Sequence, residues 1–277
     1  MIAGIVTFNP DIDRLKQNVD SIYIQVSVLV IVDNGSENIN EIEKLCHDYK
    51  NIVVISLNEN KGIACAQNEI CKYAEDHGYE WAITLDQDSI SPDNLVEEYN
   101  KYVDKPNVGM LCPRIIDVNV GDIDVFDDKC PTIAVNDCLA SASAINIKAW
   151  REVGGFYEPM FIDKVDFDIC FSLREHGYFI YRINTLKLLH EVGHSVTRKL
   201  LLKTVRVFNH SHIRIYYMIR NSFIMMRRHG YEFRWLKGII SQFLTVSLFE
   251  QDKKRKLNYW TKGLLDGIRK KEGKLQV

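Results

Sequence analysis

The first hundred residues alternate short apolar runs with segments of helical period, a pattern that few folds accept. Ile2–Thr7, Val28–Asp33, Asn51–Leu57 and Trp81–Asp86 read as strands. Between them Ile12, Leu15, Val19 and Ile22 recur at helical spacing, as do Ile39, Ile42, Leu45 and Tyr49. Ile63, Ala66, Ile70 and Ala74 repeat the pattern just after Gly62. Strands alternating with helices of about 10–15 residues predict βαβ units and a parallel sheet flanked by helices. Such open sheets bind ligands outside the carboxyl ends of their strands.

Each of these four strand ends carries a polar cluster: Thr7-Phe8-Asn9-Pro10, Asp33-Asn34-Gly35-Ser36, Asn58-Glu59-Asn60-Lys61-Gly62 and Asp86-Gln87-Asp88-Ser89. Asn, Asp, Gly and Ser are ordinary turn residues, but four clusters along one sheet edge exceed what turns need. Asp86 and Asp88 stand at the exit of an apolar strand, where i and i+2 of an extended segment share a face. Two carboxylates so placed repel unless a cation lies near them. Hard divalent ions take carboxylate oxygens and keep positions open for substrate phosphates. Ser91-Pro92 supplies the cap of the next helix and has no need of either Asp.

With these motifs in order, the chain resembles the family-2 inverting glycosyltransferases of GT-A fold, and within them a bacterial rhamnosyltransferase-like group. The likeness runs from Ile2 to about Asn221 and includes Asn60-Lys-Gly62-Ile-Ala64-Cys-Ala66-Gln-Asn68 beside the Asp-x-Asp element at Asp86–Asp88. It implies an α/β, Rossmann-like, mostly parallel sheet with a C-terminal helical extension. By this resemblance Thr7, Asn9 and Asp33 contact the nucleotide base and ribose, and Lys61 and Gly62 lie beside them. Asp88 ligates Mg²⁺ or Mn²⁺, with Asp86 near the ribose or a metal-bound water. The donor implied is a nucleotide sugar, dTDP-L-rhamnose first. The acceptor is a saccharide on a lipid diphosphate, in the synthesis of a surface polysaccharide such as O antigen or capsule. UDP-hexose or galactofuranose transfer is the nearest alternative. A sugar-phosphate nucleotidyltransferase ranks lower, since Thr7–Pro10 lacks a Gly-rich loop with a basic residue; a non-catalytic nucleotide-binding subunit leaves the carboxylates unexplained.

Further on, Ala140–Asn146 is a run of small residues that either leaves room for a sugar or packs tightly. Phe161-Ile-Asp163-Lys-Val-Asp166 resembles the group's form of the element that supplies the general base. The family's Glu-Asp pair falls here on Val165-Asp166, so Asp166 is the first candidate for the base and Asp163 the second. Val165, Ile169, Cys170 and Leu173 recur at helical spacing through this segment. His190 of His-x-x-Gly is a candidate third metal ligand. Tyr216-Tyr217-x-x-Arg220-Asn221 resembles another element of the group, and through it Arg220 is a candidate contact for a diphosphate.

The formal net charge of −2 hides a division. Residues 1–188 hold 16 Lys and Arg against 31 Asp and Glu, a net of −15, whereas residues 189–277 hold 19 against 6, a net of +13. This suggests a catalytic domain over 1–207 and a basic amphipathic helical region over 208–277. In the latter, Leu236, Ile239, Ile240, Phe243, Leu244 and Ser247 mark one helix face, followed by Lys253-Lys-Arg-Lys256. An apolar stripe beside clustered cations is suited to an anionic membrane surface. Equally, the stripe suits docking on the protein itself. Nucleic acid is not expected as a partner, because no stacking motif accompanies the charges. The seven Cys show no zinc spacing, and no apolar run reaches the ~18 residues of a membrane span. The expected location is cytoplasmic, peripheral at the inner face of the plasma membrane.

Overall fold

The computed structural model describes residues 1–117, 121–122, 130–190, 196–200, 203–207 and 209–276. For 117, 121–122, 190, 196–200 and 203–206 the description is of the backbone. Two compact units are formed, Met1–Glu158 with Asp166–His190, and Pro159–Val165 with Glu191–Val277. This grouping differs from the boundary at 207/208 that composition suggests: Pro159–Val165 belongs by its contacts to the second unit.

The first unit opens with β1 (Ile2–Thr7), α1 (Ile12–Tyr23), β2 (Leu29–Asp33), α2 (Ile39–Cys46), β3 (Ile52–Ser56), α3 (Ile63–Asp76) and β4 (Trp81–Asp86). It continues with α4 (Leu95–Asn100), β5 (Val108–Asp117), β6 (Gly121–Asp122), β7 (Thr132–Val135), β8 (Ser143–Asn146), α5 (Ile147–Glu152), α6 (Val165–Glu175) and β9 (Phe179–His190). The strands form one sheet in the order β3-β2-β1-β4-β8-β5-β9-β7, with β6 paired to β5. Pairing is parallel through β3, β2, β1 and β4 and turns antiparallel at β8. The chain leaves β1 toward β2 and β3 on one side and returns to β4 on the other. The crevice at the end of β1 and β4 is thus a topological switch point, where open α/β sheets bind ligands.

Every residue of β1 and β2 is buried, as expected of parallel strands covered on both faces. Leu15, Val19 and Ile22 of α1 and Ile42 of α2 pack with Ile5, Leu29 and Ile31 in the core. Asp11 caps α1 by accepting from Arg14 N at 3.0 Å. On the other face α3 lies so close to β1 that a Cβ at Gly4 would stand 2.5 Å from Ile70 Cγ1 and Cγ2.

In the second unit, β10 (Val196–Leu200) and β11 (Lys203–Val207) form an antiparallel pair, followed by α7 (His212–His229), α8 (Phe233–Leu248) and α9 (Lys253–Ile268). Ile215, Ile219, Ile239 and Val246 form its buried centre, with Phe223, Leu257, Trp260 and Leu264 packed around them. Gly263 lets α9 approach α7 closely: a Cβ there would lie 2.6 Å from the Tyr216 carbonyl oxygen. Among the described residues no helix is long and apolar enough to cross a membrane.

The tight β1–α3 contact makes a stability prediction. Gly4→Ala is expected to destabilise the first unit by about 1–3 kcal/mol through overpacking, read as a lower urea midpoint with an unchanged slope. A midpoint equal to that of the wild type would mean Ile70 moves aside freely.

Candidate functional site

The strand ends meet in register. Thr7 pairs with Asp33, Asp33 with Ser56, and Val6 with Asp86. Thr7, Asp33 and Asp86 therefore lie at one edge of the sheet, at the switch point.

Asp33 is the centre of this edge. It is 1% exposed, and its carboxylate is held by three donors: Thr7 Oγ1 at 3.2 Å, Gly35 N at 3.1 Å and Ser36 N at 3.0 Å. A carboxylate has about four acceptor positions, so capacity for a further donor remains. Thr7 is itself buried, and its hydroxyl orients Asp33. Asn9 adopts φ +47°, accepts from Glu37 N and donates its own N–H to Ser36 Oγ, both at 2.8 Å. It thereby braces the loop after β1 against the loop after β2.

The third loop is shaped by an amide relay that residue type and spacing alone do not reveal. Buried Asn34 accepts from Lys61 N at 2.9 Å and donates to Asn60 Oδ1 at 3.3 Å, while Asn60 Oδ1 also accepts from Gly62 N at 3.0 Å. Lys61 is exposed at the surface and Gly62 is buried at the start of α3. Gly35, with φ +85°, passes this loop so closely that a Cβ would lie 2.5 Å from the Glu59 carbonyl carbon.

Asp86 ends β4, and Gln87 and Asp88 then form a turn. The extended i, i+2 relation expected of the two carboxylates therefore does not hold, because Ser89 N reaches back to Asp86 O at 3.2 Å. Asp88 is exposed on that turn and Asp86 is half-buried. Three side chains fix the turn. Gln87 Oε1 accepts from Phe8 N at 2.8 Å, buried Asn18 donates to Asp86 O at 2.6 Å, and Ser89 Oγ meets Ser141 Oγ at 2.6 Å. None of Asn18, Gln87 and Ser141 stands out in sequence as a site residue.

The small-residue run packs tightly. Thr84 Oγ1 donates to Ala140 O at 2.7 Å and Tyr99 OH to Ala142 O at 2.6 Å, and Ala140–Ala144 are buried. Only Ser143–Asn146 of this run is strand.

The base candidates fall in different units. Asp166 is half-buried in the first turn of α6, with Asp168 fully buried behind it. Asp163 precedes the helix, with φ +72°, rather than lying on it. Within the second unit its carboxylate meets Lys164 Nζ at 3.4 Å and Arg214 Nε at 3.7 Å. Burial and the nearby Arg214 guanidinium push His210 down to about 4, so its ring is neutral at physiological pH. Arg220, expected at a diphosphate, is 1% exposed and donates to main-chain carbonyls of its own unit. The side chain of His190 lies outside the described residues.

Among the described residues no three His, Cys, Asp or Glu side chains converge into a metal cage. The donor set at the β4 exit is two hard carboxylates, one of them exposed. It fits Mg²⁺ or Mn²⁺ held by few protein ligands, with substrate phosphate and water completing the shell.

The sheet edge now has its counterpart in known proteins. A profile of "Glycosyl transferase family 2" matches residues 3–156, over half the chain and all four strand ends. The chain belongs to glycosyl transferase family 2. It is 27% identical over 286 residues to "dTDP-rhamnosyl transferase RfbF" of Shigella flexneri, covering 96% of this chain and 95% of that protein. Among solved structures, S. aureus TarS 1-349 superposes with a TM-score of 0.59 at 13% identity, over 96% of this chain and 80% of that one. GalNAc-T7 with UDP, GalNAc and Mn²⁺ gives a TM-score of 0.55 at 14% identity, over 69% of this chain. The chain spans 42% of that longer protein. At such identities the likeness is one of fold, and the fold is GT-A. The protein is a glycosyltransferase.

The Gly35 approach is directly testable in this glycosyltransferase. Gly35→Ala combines a left-handed φ with a backbone clash, a strain of about 1–3 kcal/mol at the site. Its expected signature is nucleotide affinity lowered by about tenfold or more, a factor equivalent to ~1.4 kcal/mol, as measured by titration calorimetry. Unaltered affinity in the folded variant would show that the second and third loops do not share in binding.

Proposed function

We propose that this glycosyltransferase moves L-rhamnose from dTDP-L-rhamnose to a hydroxyl of a saccharide on a lipid diphosphate, forming one linkage of a bacterial surface polysaccharide. The observation that carries the reading is the co-linear likeness to a dTDP-rhamnosyl transferase over 96% of the chain.

In this proposal Asp33 accepts the imide N–H of the thymine ring with its remaining capacity, and Thr7 and Asn9 keep that carboxylate and its loop in place. Lys61 and Gly62 border the nucleotide, with Asp86 toward the ribose. Asp88 holds Mg²⁺ or Mn²⁺, with Asp86 and His190 as further candidates for its shell. The ion, when bound, supplies Lewis-acid neutralisation of the departing diphosphate. Asp166 removes the acceptor hydroxyl proton. The oxygen then attacks the anomeric carbon, the bond to the diphosphate breaks with its electron pair on dTDP, and the configuration inverts. Asp163 is second in rank, since Asp166 matches the Asp of the family's Glu-Asp pair; the Asp163 carboxylate meets Lys164 and Arg214. Arg220 leaves the proposed nucleotide set, because its guanidinium is occupied elsewhere.

Purified protein is expected to transfer rhamnose from dTDP-L-rhamnose to a lipid-diphosphate saccharide, to stop with EDTA and to recover with Mn²⁺. Asp88→Ala and Asp166→Asn should each lose about 100-fold or more in kcat. Asp88→Ala should keep the wild-type melting temperature, because its side chain is exposed. Preference for a UDP-hexose would overturn the donor assignment, and full activity of Asp166→Asn would move the base elsewhere.

The proposed location is the cytoplasmic membrane surface. α8 buries Trp235, Ile239 and Val246, so within the stripe read from sequence Ile239 packs inward. Ile240, Phe243 and Leu244 of that stripe face outward, at 51, 41 and 48% exposure, joined by Phe233 and Leu248 at 68 and 50%. Lys256 is buried against Glu250 at 2.7 Å, while Lys253, Lys254 and Arg255 are exposed. The protein is expected to float with anionic vesicles at low salt and to leave them as salt rises; Leu244→Glu should abolish flotation. No flotation at low salt would remove the membrane from this reading, and flotation indifferent to salt and to Leu244→Glu would remove this helix face from it.

A further inference from the structure

The Tyr216-Tyr217-x-x-Arg220-Asn221 element of α7 has a shared task inside the second unit. Asn221 Nδ2 donates to the carbonyls of Met160, Ile162 and Asp163 at 3.0, 2.8 and 2.8 Å. Arg220 Nη2 donates to Pro159 O at 3.1 Å and Met160 O at 2.8 Å, and Nη1 donates to Gly273 O. Arg220 Nε and Nη2 both donate to Asn221 Oδ1, at 2.9 and 2.8 Å. That fork decides which way the amide faces: oxygen to the guanidinium, NH₂ to the loop.

The loop so held is strained. Phe161, Asp163 and Lys164 have φ of +65°, +72° and +62°, a region disfavoured for residues with a Cβ. The inward carbonyls of such a loop require donors, and Arg220 and Asn221 supply them. Phe161 stacks on Tyr217 at 5.2 Å between ring centroids, and the Arg220 guanidinium lies 4.8 Å from the Tyr217 centroid on that ring. Tyr217 OH accepts from Leu275 N at 2.7 Å, and Tyr216 OH donates to Asp266 at 3.0 Å. Tyr217, Arg220 and Asn221 thus brace one segment, whose Asp163 carboxylate is directed at Lys164 and Arg214, while Tyr216 ties the same helix to Asp266 of α9. Strain of this kind persists where the surroundings over-determine it, often at functional sites.

We infer that Arg220 and Asn221 are positioning residues for glycosyl transfer: they hold Pro159–Lys164, with Phe161, Asp163 and Lys164 in the left-handed region, and so fix the direction of the Asp163 carboxylate and the chain that leads into Asp166. The inference rests on the proposed general base, Asp166 first and Asp163 second, since the held loop carries Asp163 and leads directly into Asp166. It gives the motif a role in holding the loop, with no contact to a diphosphate.

The test compares full-length wild type with Asn221→Ala, Arg220→Ala and Arg220→Lys. Three readouts are taken: dTDP affinity in Mn²⁺ by calorimetry, steady-state transfer, and amide hydrogen exchange. Exchange at residues 160–164 is expected to quicken by about tenfold or more, and kcat to fall by about tenfold or more. Affinity for dTDP and the donor KM should stay within about twofold, as for a group that does not bind the ground state. Arg220→Lys keeps the charge but lacks the planar fork, so it should behave as Arg220→Ala does. If Lys retains a dTDP affinity that Ala loses, Arg220 touches the diphosphate and the inference is overturned. Loop exchange at the wild-type rate, or kcat within about twofold of wild type, also overturns it. Should Asn221→Ala fail to fold, Asn221→Ser, which keeps one donor, is read against the same outcomes. Full activity of both Asp163→Asn and Asp166→Asn would overturn the base assignment and the catalytic half of the inference. Exchange at 160–164 would still report separately whether the pair holds the loop.

Discussion

Asp33 is removed from water at the end of a parallel strand, and a carboxylate there must be given hydrogen-bond donors or it destabilises the fold. Thr7 from the neighbouring strand and the Gly35 and Ser36 amides supply them. The same bonds curl the chain back after β2, which brings Asn34 to Asn60 and Gly35 against Glu59. Three loops that are distant in sequence acquire one shape from this arrangement. Much of this sheet edge is therefore shaped by the fold itself.

The turn after β4 obeys the same logic on the other side of the switch point. Asp88 is presented to solvent because Asn18, Gln87 and Ser141 engage the backbone and hydroxyls around it. An exposed carboxylate on a fixed turn keeps its oxygens available, whereas Asp33 spends most of its capacity within the protein. Of these two aspartates, one is the last residue of an apolar strand and the other lies two residues beyond the end of one, and their neighbours leave them with different hydrogen-bond capacity.

Much of this was legible in the sequence. The 2-versus-3.6 periodicities mark β1 to β4 and α1 to α3, since strands buried on both faces must be continuously apolar and covering helices must show one stripe. Polar clusters at Thr7, Asp33, Lys61 and Asp86 mark the edge where the backbone leaves the sheet. Less legible were Asn18, Asn34, Gln87 and Ser141, because a buried amide or hydroxyl looks like any polar residue until its partner is known. Asp163 looked helical because it precedes an apolar period by two residues, but its left-handed φ ends that possibility. Arg220 reads as an anion contact only through the resemblance of its motif, which does not reveal that its guanidinium is used by main-chain carbonyls.

Local chemistry determined the alternation of strands and helices, the side of the sheet on which polar residues collect, and the charge division between the two parts of the chain. These follow from periods and residue types that any neighbour would respect. Tertiary structure alone decided which polar groups would be spent on the fold and which would stay open to a ligand. Hydrogen-bond capacity is finite, and only the placement of residues such as Asn221 beneath the carbonyls of residues 160–163 shows where it is used. The outward face of α8 was settled the same way: several of its residues are apolar, and packing on α7 and α9 chose Ile239 and Val246 to bury.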